Sequence, residues 1–453
     1  MNIVVIGCGK IGSTILESLS AEGHDVVAVD NNAAVIEEIT NTQDVMGVCG
    51  NGADCDVLEE ADVAKAQLVV AATGSDEVNM LVCFMAKKMG AQQTIARIRN
   101  PEYNEHSLRF MKKQLDLSMA INPELQAAHE LFNMLKTPSA AKIEIFSRRN
   151  FELVEILLKP DCPLDGMRLA DLPSKYKTRV LICVVRRGDR VFIPDGNFVL
   201  QAGDRIGLTA LAAEIERFFS AIGLLKRRAR SVMLLGGSKT AYYLAKRLIA
   251  TGTNVKIIEK DEEKCRSLCA LLPQAVIIHG DGAAQELLME EGLEQQDAFV
   301  SLTGMDEENI LVSIFAASQN VPKVIAKISR SELSPMARKL GLDSIVSPQH
   351  SISDLLVQYA RALENSMGSK VETLYKLMDG NAEALEFTVR ENKKLTGRPL
   401  KDLTLRPNTL IAGIIRERKT IIPGGEDMIL PGDRVVVITA DSRLRDLADI
   451  IGG

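Results

Sequence analysis

The stretch "VIGCGKIGSTILESL" (residues 5–19) decides how the whole chain is read. A short apolar run enters it, and glycines stand at Gly7, Gly9 and Gly12. Ile11, Ile15 and Leu19 then recur every fourth residue, the stripe of a helix buried on one face. An acid, Asp30, ends the next strand-like run 23 residues after Gly7. In this strand–turn–helix context a G-x-G-x-x-G reads as a dinucleotide fingerprint. Gly7 allows the tight turn, Gly9 removes a side chain where a pyrophosphate approaches, and Gly12 lets helix and strand pack closely. Amides at the helix start and the helix dipole then receive phosphates. Asp30 suits both ribose hydroxyls and repels a 2′-phosphate, which favours NAD(H) over NADP(H).

The fingerprint has an altered counterpart in "LLGGSKTAYYLAKRL" (234–248), where Gly236, Ser238 and Ala241 hold the three positions. Other segments repeat in the same order. "GNGAD" (50–54) matches "GDGAA" (280–284), "ATGSDEVNML" (72–81) matches "LTGMDEENIL" (302–311), and "ARIRN" (96–100) matches "AKISR" (326–330). "PDGNFVLQAGDRI" (194–206) matches "PGGEDMILPGDRV" (423–435). The offsets are 229 (Asp30 to Glu259) or 230 (Gly50 to Gly280), half the chain, so this is a tandem duplication.

Each half starts with alternating strand and helix patterns. In the first these are strands 2–6, 25–29, 67–72 and 93–98 with helices 10–21, 32–40 and 76–89. Continuous apolar strands such as "LVVAA" (68–72) suit a parallel sheet covered on both faces. Each half ends in short strands with turn signals, as in "VVRRGDRVFIP", where Gly188 joins two apolar runs. The expected fold is α/β, with two tandem Rossmann-like doubly wound parallel-sheet domains, each followed by a small α+β domain. The boundaries fall at 1–136, 137–225, 226–365 and 366–453, with "KRRAR" (226–230) as a solvated linker.

The 453 residues carry a formal charge of −6, 4% aromatics and no Trp, which argues against a nucleic-acid surface. No apolar run approaches the roughly 18–20 residues that span a bilayer. The chain opens directly into a strand without a signal-like region, so a cytoplasmic location is expected. The eight Cys form no C-x-x-C and read mostly as reduced core residues. Cys265 and Cys269, four apart on a helix, lack the further ligands that a metal site needs.

"ATGSDEVN" (72–79) lies at the carboxyl end of a strand, the edge where such sheets hold ligands. Thr73 and Gly74 are placed against a ligand there, with Asp76 capping the next helix. Asn51 and Arg97 also end strand-like runs. In the second half Ser238 crowds the phosphate position and Glu259 keeps the acidic anchor. The "SKT" tail lacks the rest of a P-loop, and whether this loop binds a dinucleotide is left open.

Together these segments resemble the TrkA family of tandem RCK (regulator of potassium conductance) proteins, the regulatory subunits of Trk/Ktr-type potassium uptake systems. The resemblance covers essentially the whole chain. It implies no catalysis, and N-lobes that bind NAD(H) or ATP/ADP. On the first lobe the matching positions are Gly7, Cys8, Gly9, Lys10 and Ile11 in the loop, with Asp30, Asn51, Thr73, Gly74 and Arg97 around it. On the second they are Lys239, Thr240 and Glu259, then Asp281, Thr303, Gly304 and Lys327. The family further implies self-association as a homodimer or homotetramer. It also implies an integral-membrane potassium transporter partner of the TrkH/TrkG/KtrB type, with peripheral placement on the inner face of the membrane. Two other readings stay open: an NAD-dependent oxidoreductase, and a module sensing a cyclic dinucleotide through its C-subdomains.

Overall fold

The computed structural model describes the chain apart from residues 104, 138–141, 147–150, 225–227, 331, 367–370, 393–394, 418, 441–443, 445 and 453. The first half opens with β1 (Asn2–Ile6), α1 (Lys10–Ala21), β2 (Asp25–Asp30), α2 (Ala33–Thr42), β3 (Met46–Cys49) and α3 (Cys55–Glu60). It continues through β4 (Leu68–Ala71), α4 (Asp76–Met89), β5 (Gln93–Arg97), α5 (Glu105–Gln114), β6 (Met119–Ile121) and α6 (Pro123–Lys136). The strands form one parallel sheet in the order β3-β2-β1-β4-β5-β6. Every residue of β4 is buried, as a strand covered on both faces requires, and α1 buries Ile11, Ile15 and Leu19 against the sheet. The strand order reverses between β1 and β4, which opens a crevice at their carboxyl ends.

An antiparallel domain follows, with β7 (Lys142–Phe146), β8 (Phe151–Leu157), α7 (Leu172–Tyr176), β9 (Leu181–Arg187), β10 (Arg190–Phe192), β11 (Arg205–Leu211) and α8 (Ala212–Ala221). Its sheet order is β10-β9-β11-β8-β7. The β9–β10 turn pairs Arg187 with Arg190 around Gly188, whose φ of +60° suits glycine.

The second half repeats both parts. Its parallel sheet uses β12 (Ser231–Leu235), β13 (Asn254–Glu259), β14 (Val276–His279), β15 (Ala298–Ser301), β16 (Lys323–Lys327) and β17 (Ile345–Val346). The intervening helices are α9 (Lys239–Ala250), α10 (Glu262–Leu271), α11 (Gln285–Glu290), α12 (Asp306–Ser318) and α13 (Leu333–Lys339), and α14 (Pro348–Ser366) follows the last strand. The order is β14-β13-β12-β15-β16-β17, matching the first sheet. The closing antiparallel sheet, β18 (Val371–Leu377), β19 (Ala382–Thr388), β20 (Thr409–Arg416), β21 (Lys419–Ile421) and β22 (Arg434–Thr439), runs β18-β19-β22-β20-β21.

The chain packs as two compact units, each built from like parts of both halves. One comprises Met1–Phe132 with Ala229–Ala360, the other Asn133–Arg228 with Arg361–Gly453. In the first unit the two parallel-sheet lobes meet through helices. Arg247 on α9 stacks 4.7 Å over the Phe132 ring, and the Ser353 hydroxyl meets that of Ser18 at 2.5 Å. In the second unit the two antiparallel sheets share one core, in which Phe151, Leu153 and Cys183 pack with Leu377, Ala384 and Ala412. Buried Glu155 accepts the Met378 amide across that seam at 3.0 Å. Of "KRRAR", Lys226 and Arg227 lie outside the described residues, and Ala229 opens the lobe unit.

Among the described residues no helix is long and apolar enough to cross a membrane, and no cluster of His, Cys, Asp or Glu can hold a metal. Cys265 is buried while Cys269 is exposed, so only the former is a core residue. Cys49 and Cys55 are also exposed.

Candidate functional site

The crevice of the first lobe begins at Gly7, whose φ of +91° and proximity to the next strand both demand glycine: a Cβ would lie 2.6 Å from the Thr73 nitrogen. Gly12 has no room either, since its Cβ would meet the Gly7 carbonyl oxygen at 1.8 Å. Gly9 differs from both. Nothing lies within 4 Å of its ideal Cβ, and it starts α1 without any side-chain cap. Packing does not demand a glycine here, and the bare position leaves the first amides of α1 open to the crevice.

Asp30 is held at the end of β2 by two amides, with the Cys8 N–H donating to Oδ2 at 2.7 Å and the Asn32 N–H to Oδ1 at 2.9 Å. Its carboxylate stays half-buried and lines the crevice. The Cys8 side chain turns inward toward the Val29 carbonyl, and burial followed by the Asp30 charge pushes its thiol up to about 12. Cys8 therefore offers the crevice main chain only.

Asn79, fully buried on α4, ties the far wall together. Its Oδ1 accepts from the Thr73 N–H (2.8 Å) and hydroxyl (2.7 Å), and its Nδ2 donates to the Arg97 carbonyl (2.9 Å). The cap assignment made from sequence is corrected here. Ser75, not Asp76, caps α4 by accepting the Val78 N–H. Asp76 occupies the first helical position, where its Oδ2 accepts the Arg99 and Asn100 amides at 2.8 Å each. Arg99 in turn donates to the Gly74 carbonyl at 2.7 Å. Arg97 faces Glu124, at the start of α6, across 3.7 Å. Burial, then the neighbouring Arg99, press the Arg97 pKa below its ordinary value, against the pull of Glu124 and Asp76.

The second lobe keeps this scaffold nearly bond for bond. Glu259 accepts the Gly237 and Asp261 amides (2.6 and 2.9 Å), Asn309 holds Thr303 and the Lys327 carbonyl, and Asp306 accepts the Ser329 and Arg330 amides. The Ser75 cap of α4 has no counterpart, since Met305 precedes α12 without a side-chain cap, and two features differ at the glycine turn itself. Ser238 caps α9 with its own hydroxyl, accepting the Ala241 N–H at 3.3 Å. Glu259 is also only 7% exposed, where Asp30 is half-buried.

A cavity of about 760 Å³ lies in the lobe unit and takes its walls from both halves. The first half contributes Gly7, Gly9, Lys10, Ile11, Asp30 and Asn51, with Thr73, Gly74, Arg97 and Glu124 beyond them. The second contributes Ser238, Lys239, Thr240, Lys327, Ser329 and Gln349. The structure thus brings together nearly all the first-lobe positions singled out from sequence and adds Lys239, Thr240 and Lys327 from the other lobe. Cys8 and Gly12 stand behind the surface, while Glu259, Asp281, Thr303 and Gly304 do not line this cavity. Four cations (Lys10, Arg97, Lys239, Lys327) outnumber two carboxylates (Asp30, Glu124) on the walls. Burial holds the Lys327 pKa below its ordinary value; Asp306 and Glu124 oppose that shift and Lys10 adds to it. Surplus positive charge around uncapped amides suits a phosphorylated ligand.

Glu124 and Gln349 went unnoticed in the sequence. The signal was there: "INPELQAA" (121–128) and "VSPQHSIS" (346–353) both set a proline at the first turn of the helix that follows the last strand.

The chain matches the TrkA-N domain family over residues 3–123 and 232–348, and the TrkA-C domain family over 153–223 and 384–452. It is 32% identical to Trk system potassium uptake protein TrkA homolog 1 of Methanosarcina mazei, covering 98% of both chains. It is 30% identical to Trk system potassium uptake protein TrkA of Vibrio alginolyticus, covering 98% of this chain and 96% of that one. Among solved structures, the GsuK RCK domain superposes with a TM-score of 0.63 at 17% identity, over 96% of this chain and 92% of that one. The GsuK channel bound to NAD gives 0.62 at 16% identity, over 97% and 76%. These two likenesses establish the fold.

Proposed function

The chain belongs to the TrkA family, with TrkA-N and TrkA-C domains in tandem, and from that premise we propose that it is the nucleotide-binding gating subunit of a potassium uptake system. Relatives matching it almost end to end carry a potassium-uptake name rather than that of an oxidoreductase, and its action is non-catalytic. The observation that carries the nucleotide reading is the shared cavity, where uncapped amides and Asp30 of one lobe face lysines of the other.

NAD(H) or ATP/ADP is the ligand. The amides after Gly9 receive its pyrophosphate, Asp30 accepts from the adenosine ribose, and Thr73 and Gly74 bound the far side. Lys10 and Arg97 neutralise phosphate charge from the first lobe, Lys239 and Lys327 from the second. Because both lobes touch one ligand, its binding free energy depends on how they are docked. A ligand shifts such an equilibrium only through unequal affinity for the two arrangements, and NAD(H) and ATP differ in where their negative charge lies. The change passes to an integral-membrane potassium transporter of the TrkH/TrkG/KtrB type through a homodimeric or homotetrameric assembly at the inner face of the membrane.

The test is potassium flux through the co-reconstituted transporter, with NADH, ATP or ADP added. Asp30→Ala is expected to remove the nucleotide response while the chain stays folded, with a melting midpoint lowered by about a few degrees because the Cys8 and Asn32 amides lose their acceptor. A response that persists in this variant would refute the proposal. Calorimetry with a cyclic dinucleotide on the same protein tests the C-subdomain alternative.

A further inference from the structure

One side chain of the second lobe reaches into the framework of the first. Tyr243, on α9, donates its hydroxyl proton to the Arg99 carbonyl at 3.1 Å, and its oxygen accepts from the Asn122 side-chain amide at 3.1 Å. Both partners are anchors. Arg99 is fixed through its amide to Asp76 and through its guanidinium to the Gly74 carbonyl of the cavity wall. The Asn122 Oδ1 accepts the Leu125 N–H at 2.9 Å and so starts α6. Arg97 lies two residues before the first anchor and Glu124 two residues after the second, and these two face each other at 3.7 Å on the cavity wall. The phenol is half-buried, and burial raises its pKa, so it stays a neutral donor.

We propose that Tyr243 is a positioning residue for the first-lobe nucleotide cavity: its hydroxyl clamps the two segments that carry Arg97 and Glu124, so the affinity of the first lobe depends on this contact from the second. The clamp has no reciprocal. The position matching Tyr243 in the first lobe is Thr14 (243 − 229), whose hydroxyl turns back onto its own helix and donates to the Lys10 carbonyl at 3.0 Å. This clamp therefore runs one way, from the second lobe to the wall segments carried by the first.

This inference rests on the reading of the cavity as a nucleotide site, and titration calorimetry of NADH and ATP into the full chain separates the two. Tyr243→Phe keeps the ring and removes two hydrogen bonds, and it is expected to weaken binding about three- to tenfold. Asn122→Ala, which leaves Tyr243 in place, should weaken binding in the same direction. Ser353→Ala, which removes a different contact between the lobes, should leave the affinity within about twofold. On an Arg97→Gln background, where the clamp has no guanidinium to place, the Tyr243→Phe effect should shrink. Parent-like affinity in Tyr243→Phe, an equal loss in Ser353→Ala, or full additivity with Arg97→Gln each overturns the positioning role while leaving the nucleotide reading standing. No binding of either nucleotide to the parent chain overturns both.

Discussion

In the first lobe α1 begins at a bare Gly9, above a carboxylate that two amides hold half-open to the cavity. In the second, α9 begins at a serine that caps it, and the equivalent carboxylate is buried beneath Gly237. The bonds that hold the far wall repeat around these turns, as at Asn79/Asn309 and Asp76/Asp306. The wall-building Asn and Asp are kept in both lobes, whereas the bare helix start and the half-open carboxylate occur only in the first.

The largest effect expected from breaking this contrast is at the helix–strand packing position. Gly12→Ala drives a methyl into the Gly7 carbonyl and should cost about 3 kcal/mol in urea denaturation. Ala241→Gly, the mirror change, costs about 1 kcal/mol through helix propensity alone. Gly9→Leu comes next. A Cβ at this position meets nothing within 4 Å, so the packing of the lobe should hold, while nucleotide affinity falls about 100-fold, or about 2.7 kcal/mol. An unaltered calorimetric titration would show that the open turn is not where phosphate sits.

Ser238→Gly sharpens the comparison from the other side. Loss of the cap to glycine costs only a few tenths of a kcal/mol, on the order of 0.3. Parent and variant should both bind one nucleotide per chain, because burial of Glu259 remains. A second equivalent in the variant would show that the serine alone had closed the second loop.

The smallest effect concerns protons. Lys327 has its pKa depressed by burial, and a phosphate beside it raises that pKa, so binding takes up protons. Affinity should therefore fall as pH rises through the depressed pKa. Titrations in buffers of different ionisation enthalpy would measure the uptake, and Lys327→Met should remove it.

Much of this was legible in the sequence. The spacing of Ile11, Ile15 and Leu19 reports α1 directly, because a buried stripe must follow the helical repeat. Matching segments in one order, at offsets of 229 or 230, reveal both parallel sheets. Short β3 and β6 left too few residues for a period, and α6 announced itself only by Asn122 and Pro123. Ser75 and Asp76 are both good caps by type, and only the Arg99 and Asn100 amides, far along the chain, draw Asp76 away. Least legible was the company that Lys239 and Lys327 keep. Local patterns specify each lobe, whereas the face it turns to its twin depends on Tyr243, Arg247 and Ser353 meeting residues more than a hundred positions away.

The common core of the two antiparallel sheets, with Phe151 against Ala412 and Leu377, has a bearing on why one loop could change alone. Where identical subunits associate, any substitution arrives in both copies at once. A peptide tether instead guarantees a one-to-one ratio at an effective concentration of millimolar order. One member of the couple can then abandon its inherited task and serve as furniture for the other, without a defective symmetric assembly ever having to exist.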